Sequence, residues 1–298
     1  DLAFDVKVSK PTWMDIRGVR SALLEAGAYG QDERTRELVI AALANLAVDD
    51  SNKEAMWEED EEVRTLLLKA AEESEPENTR EDAIRGIANL AADMTNAQHM
   101  WENENDEDVR EMLLIACDEE TTPQATREHA ICAFANIAMH DSNRLVMWED
   151  EDVRTVLLDA ADEGQPQKSR EHAVRALANI AADSATLQPM WNDIDGARAI
   201  LLIAADQGPE LTCSHALRAL ANLSADDDNG LEMWADYDGA RQTLLAAASS
   251  VGTDADGTPL TPSGLPVDNV LEDAIRGLNN LACQMGNRQA MWADEEVS

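Results

Sequence analysis

SNKEAMWEEDEEVRTLLLKAAEESEPENTREDAIRGIANLAA, residues 51–92, holds one full period of the pattern from which this chain is built. A short segment ends in Met56 and Trp57. An acidic link follows, then VRTLLLKAA (63–71) and TREDAIRGIANLAA (79–92). In the VR piece Val63, Leu66, Leu67 and Ala70 fall at i, i+3, i+4 and i+7, the spacing of one face of an α-helix. The same order recurs as VRSALLEA, VREMLLIA, VRTVLLDA, ARAILLIA and ARQTLLAA, each with its flanking segments. One short and two longer helices per unit cannot bury their apolar faces alone, so units must stack on their neighbours.

Two ladders give the period. Trp13, Trp57, Trp101, Trp148, Trp191, Trp234 and Trp292 are separated by 44, 44, 47, 43, 43 and 58 residues. In step with them, Asn45, Asn89, Asn136, Asn179, Asn222 and Asn280 each stand near the end of a third-helix segment such as GIANL or ALANI. The succession N-x-x-x-M-W, LL-x-A, A-L-A-N-L-A resembles the armadillo repeat family over nearly the whole chain. That resemblance implies an all-α fold, a right-handed superhelical solenoid of three-helix repeats. HEAT repeats have units of similar length but lack the Asn-bearing third helix. The expected organisation is one solenoid over residues 1–298, with about six units and the start of a seventh at GNRQAMWADEEVS, as part of a longer chain. Residues 249–268, rich in Gly, Pro, Ser and Asp, read as a loop inserted into the last unit. Its DADG lacks the ligands that an EF-hand calcium loop requires.

Composition narrows the function. Net charge is −37, from 60 acidic and 23 basic residues, which argues against nucleic acid because the phosphate backbone would be repelled. Cys117, Cys132, Cys213 and Cys283 are far apart and form no C-x-x-C pair, so they are expected as buried free thiols in an intracellular, cytoplasmic or nuclear protein. No apolar run is long enough to span a membrane. No phosphate-binding Gly-rich loop, H-E-x-x-H or G-x-S-x-G is written anywhere, and neither a catalytic site nor a cofactor is expected.

The Met-Trp pairs read as packing between repeats. The Asn row is a candidate binding site, since an amide donates and accepts and a line of amides can hold the backbone of an extended peptide. In armadillo proteins the equivalent Asn does this, and the competing role is a bond to a neighbouring repeat's backbone. Four residues earlier stand Arg85, Arg175, Arg218 and Arg276, and three before those Asp82, His172, His215 and Asp273. His129 and Cys132 occupy these places in the third unit. Such a polar stripe suits carboxylates or phosphorylated side chains. The Arg side chains could instead pair with Glu81, Glu171 and Glu272 one turn before Arg85, Arg175 and Arg276. Titration of His129, His172 and His215 would tune the groove near pH 6.5. Coming one per repeat, these histidines are spaced too widely for a metal. Armadillo proteins similar to importin-α carry Trp where this chain has Ala41, Arg85, Cys132, Arg175, Arg218 and Arg276, so a basic import signal is not the expected ligand. The acidic links between first and second helices read as solvated turns. The sequence thus points to a non-catalytic interaction scaffold that holds an extended protein segment or peptide in a concave groove. The alternative is a regulatory or assembly module of a larger enzyme or structural complex that uses its edges or convex face.

Overall fold

A computed structural model describes residues 17–28, 31–102, 109–249, 252–253, 259–260 and 268–293. Trp13, the link at 103–108, the DADG stretch and most of the insertion at 249–268 lie outside the described residues, as do residues 294–298. Within the insertion Gly252–Thr253 (β1) pairs antiparallel with Pro259–Leu260 (β2).

Two compact units, Asp1–Asn143 and Arg144–Ser298, make up the chain. The first begins with α1 (Arg17–Gly27) and α2 (Glu33–Leu46). Two triplets follow: α3 (Asp50–Trp57), α4 (Glu61–Ala70) and α5 (Glu77–Leu90), then α6 (Met94–Glu102), α7 (Val109–Ala116) and α8 (Gln124–Ile137). Helix α9 (Asp141–Glu149) includes the boundary between the units. The second unit has α10 (Glu151–Ala161) and α11 (Gln167–Ile180), then α12 (Leu187–Asn192), α13 (Ala197–Gln207) and α14 (Glu210–Leu223). It continues with α15 (Asp227–Ala235), a π-helical turn at Tyr237–Arg241, α16 (Gln242–Ser249), α17 (Asp268–Cys283) and α18 (Met285–Trp292). Third helices pack on one another, α2 on α5 and α5 on α8 in the first unit, α11 on α14 and α14 on α17 in the second. Alanine makes this close approach possible: Ala44, Ala133, Ala176 and Ala219 are fully buried at these contacts.

Proline starts the third helices. Pro76, Pro123, Pro166 and Pro209 are the N-cap residues of α5, α8, α11 and α14, where fixed φ suits an extended cap and the missing N–H costs nothing. The acidic links are more than solvated turns. Asp60 is only 4% exposed, and it accepts from the Val63 N–H and pairs with Arg20. Asp150, Asp193 and Asp236 accept from the N–H groups of Val153, Ala197 and Ala240 at 3.1, 2.9 and 3.2 Å. A cap of this kind contributes about 1 kcal/mol. In the two D-x-D-G links a Cβ on Gly196 or Gly239 would lie 2.2 Å from Oδ2 of the capping Asp193 or Asp236, so each cap requires its glycine.

The tryptophans have the expected packing role, with one exception. Trp57, Trp148, Trp191 and Trp234 are buried, Trp101 is half-buried and Trp292 is 90% exposed. The arginine of the following VR or AR segment covers the ring: Arg154 lies 5.6 Å from the Trp148 centroid, Arg198 4.0 Å from that of Trp191, and Arg241 4.2 Å from that of Trp234. Arg198 also donates to Asp236 at 3.0 Å, so one guanidinium joins a ring in its own repeat to the helix cap of the next. None of the four cysteines forms a disulfide; the expectation of burial is met in part by Cys117, Cys132 and Cys213, which are half-buried, and fails for Cys283, which is exposed on the last turn of α17. Burial pushes the Cys117 thiol up to about 12 and the Cys213 thiol up to about 11, so both stay protonated and unreactive.

Candidate functional site

Within each unit third helices reach the preceding one through the Asn near their C-terminal ends. In the first unit Asn89 Nδ2 donates to the Ala44 carbonyl at 3.1 Å, and Asn136 Nδ2 donates to that of Ala88 at 2.7 Å. In the second, Asn222 Nδ2 donates to the Ala178 carbonyl at 3.5 Å and Asn280 Nδ2 to that of Ala221 at 2.9 Å. The acceptor is always the residue just before the preceding Asn. The amide oxygens are used as well, by arginines one repeat further on. Arg85 donates to Asn45 Oδ1 at 3.0 Å, Arg218 to Asn179 Oδ1 at 2.9 Å, and Arg276 to Asn222 Oδ1 at 2.9 Å. Within each unit asparagine and arginine therefore form a lattice, in which an amide has two N–H hydrogens and two lone pairs to divide between repeat contacts and any ligand.

The lattice redirects the arginines away from the expected Glu partners. Arg85 pairs with Asp82 at 2.6 Å and Arg276 with Asp273 at 2.7 Å, both three residues earlier, and neither makes an ion pair with Glu81 or Glu272. A guanidinium stretched across to the preceding Asn passes over the i−3 position, which is where its carboxylate partner stands. His172 and Arg175 are half-buried on α11, and His129 and Cys132 are half-buried on α8 beside the buried Asn136.

The third helices of the second unit bring a local cluster of cationic side chains within range of one another. His215 is pushed down to about 4, by burial first and then by the fields of Arg218, Arg175 and His172. It is therefore neutral at pH 6.5, and the expected tuning of the groove near that pH is not carried by His215. Burial also lowers the Arg218 pKa; Asp273 opposes this, while Arg175 and Arg276 reinforce it. Burial raises the Asp273 carboxyl, with its bond to Arg276 pulling the other way. Among the described residues no three His, Cys, Asp or Glu side chains come together to hold a metal ion, and no described helix is long and apolar enough to cross a membrane.

His215 gives a pH prediction with a definite sign. The unfolded chain takes up a proton near pH 6.5 while the folded protein resists it down to about 4, so this group's stabilisation is present above pH 6.5 and is lost as pH falls towards 4. The loss is at most about 3 kcal/mol, reduced by partial solvent access. Urea unfolding of the wild type and His215→Gln should show a stability difference that changes between pH 6.5 and 4 and is constant above 6.5; parallel profiles across that window would refute the assignment.

A second ladder, the Asn of the N-x-x-x-M-W segments, has a role that the sequence reading did not assign. Asn52, Asn96, Asn143, Asn229 and Asn287, in the first helices, are all at least 97% buried. Asn96 Nδ2 donates to the Leu90 and Lys53 carbonyls, both at 3.0 Å. Asn143 bonds Ile137 and Ala97, Asn229 bonds Leu223 and Leu187, and Asn287 bonds Leu281 and Gly230 in the same way. One bond of each pair closes the end of the preceding third helix, and the other reaches the first helix of the repeat before. Thr186 takes the place in α12's repeat, donating to the Ile180 carbonyl at 2.8 Å. The sequence signal was available: every one of these residues stands five before a Trp of the ladder.

No family model matches the sequence, and no curated protein is similar to it. Solved structures are similar in fold. A designed armadillo repeat protein superposes with a TM-score of 0.69 at 20% identity, covering 87% of this chain and 98% of its own. A second designed armadillo repeat protein, in complex with the peptide (KR)4, gives 0.67 at 18% identity and the same coverages. UNC-45 from Drosophila melanogaster gives 0.66 at 14% identity, covering 92% of this chain but 32% of its own length. The chain has an armadillo-type repeat fold, an all-α solenoid.

Proposed function

We propose that this chain is a non-catalytic interaction scaffold that holds an extended segment of a partner protein along the face of its third helices, at Asn45, Asn89, Asn136, Asn179, Asn222 and Asn280. The observation that carries this reading is the repeated row of side-chain amides at a fixed place on successive third helices, each amide having two hydrogens and two lone pairs to divide between its neighbours and a ligand. The similarity to a designed armadillo repeat protein in complex with a peptide supports it. The ligand here differs from (KR)4: Arg85, Arg218 and Arg276 on this face repel basic side chains. Four cysteines without a disulfide fit an intracellular setting, cytoplasmic or nuclear.

An immobilised peptide library probed with the whole chain tests the reading. Asn45 is the informative residue, because its amide accepts from Arg85 and is not among those donating to a preceding helix. Asn45→Ala and Asn222→Ala should each weaken library binding roughly tenfold while the melting temperature of Asn45→Ala stays near that of the wild type. Library binding that is indifferent to both substitutions would remove the groove and favour a module docking by its edges or convex face.

A further inference from the structure

Arg218 is the anomaly of this molecule. The chain has 60 acidic residues, yet among the described residues no carboxylate lies within ion-pair distance of this half-buried arginine. Among the described residues its hydrogen bond goes to the neutral Asn179 Oδ1 at 2.9 Å, one of five N–H donors being used there. Helices α11, α14 and α17 bring Arg175 and Arg276 within electrostatic range of it, and His215 stands on the same helix one turn before. The facing carboxylate is Asp273, already bonded to Arg276 at 2.7 Å, with Glu272 beside it exposed to solvent. Gathering three guanidinium groups near Asp273, a carboxylate already bonded to Arg276, costs electrostatic free energy, and at Arg218 the field of Asp273 offsets only part of the cost of burial.

We infer that the third-helix face of the second unit is an oxyanion site, in which Arg218 and Arg276 chelate a phosphoryl or carboxylate group carried by the extended partner segment. The inference rests on the groove reading above and specifies the ligand for that part of it. Planar guanidinium groups donate in parallel pairs, the geometry that carboxylate and phosphate oxygens accept. Neutral His215 adds a hydrogen-bonding ring without adding charge. The net charge of −37 does not forbid an anionic partner, because at about 0.15 M salt charges are screened over roughly 8 Å and the local cluster governs close approach.

Three labelled peptides of equal length, alternating Gly with phosphoserine, with Glu or with Ser, test this by fluorescence anisotropy with the whole chain at that ionic strength. The phosphoserine and Glu peptides should bind at least roughly tenfold more tightly than the Ser peptide, and the ratio between the two tells which oxyanion the site prefers. Arg218→Gln keeps a donor for Asn179 and removes the charge; Arg276→Gln does the same at a more exposed position. Each should abolish the preference, with melting temperature as the check on folding. Binding that ignores charge, a preference that survives both substitutions, or no binding of any of the three peptides would overturn the inference. The groove reading would still stand or fall separately, by the peptide library and the Asn45 and Asn222 substitutions.

Discussion

Trp191→Ala should cost the second unit about 3 to 5 kcal/mol, the range for emptying a large aromatic site in a packed interior. Trp191 is fully buried, its ring carries Arg198 at 4.0 Å, and its Nε1 donates to Glu232 at 3.0 Å. The alanine variant leaves a cavity and an arginine without its aromatic face, and it also removes the donor to Glu232 in the next repeat. Since folded domains are typically stable by only about 5 to 15 kcal/mol, the urea transition should move strongly or split. Trp292→Ala is the matched control, the same residue type at the same repeat position but 90% exposed, and should change stability by no more than about 0.5 kcal/mol. Equal shifts for the two variants would show that burial of the ring is not what stabilises the stack.

Asn96→Asp should be nearly as damaging although it replaces one group by another of the same shape. Both hydrogens of the Asn96 amide point at carbonyl oxygens, of Lys53 and Leu90, in a fully buried site. A carboxylate there sets oxygen against oxygen and buries an unpaired charge, a change expected to cost about 3 to 5 kcal/mol at neutral pH. Such a site raises the carboxyl pKa above its unfolded value. The damage should therefore lessen as pH falls and the group protonates, since a protonated acid can restore one of the two bonds. Asn89→Asp is the comparison on the groove side: the amide is half-buried and donates to a single carbonyl, so about 1 kcal/mol is expected. Stability measured by urea titration at neutral and acidic pH decides it; an Asn96→Asp protein as stable as wild type would dismiss the second ladder as incidental.

The repeat-forming part of the fold was legible because it is written in side chains. The Trp spacing, the paired leucines and the alanine-rich third helices each state a buried face at a helical period. The partners of the polar residues were not, for a physical reason. Asn89, Asn136 and Asn280 bond to backbone carbonyls 45, 48 and 59 residues away, and a carbonyl is the same atom in every residue. For Arg85 and Arg276 Glu one turn back was the alternative to a ligand; both pair with Asp three residues back instead, with the guanidinium also bonded to the preceding Asn. The second ladder could have been found by accounting for the carbonyls left over where each third helix ends, which need donors from outside the helix. The groove's cationic character in the second unit depends on which helices stand beside which, and it became visible once α11, α14 and α17 were placed.

The bonds that the two Asn ladders donate between repeats are asymmetric in kind. The donor is a side chain that a gene must specify, Asn89 or Asn96 for instance, whereas the acceptor is main chain that every repeat possesses whatever its sequence. Duplicating a unit therefore copies both the key and a fresh lock, and the new copy fits the old one without any matching change across the junction. The same property explains how the last interval could lengthen from 43 to 58 residues: the extra length enters between α16 and α17, while Asn280 and Asn287 still find Ala221 and Gly230. A chain latched in this way can be lengthened, shortened or interrupted by whole units and keep its register, leaving the exposed faces free to diverge.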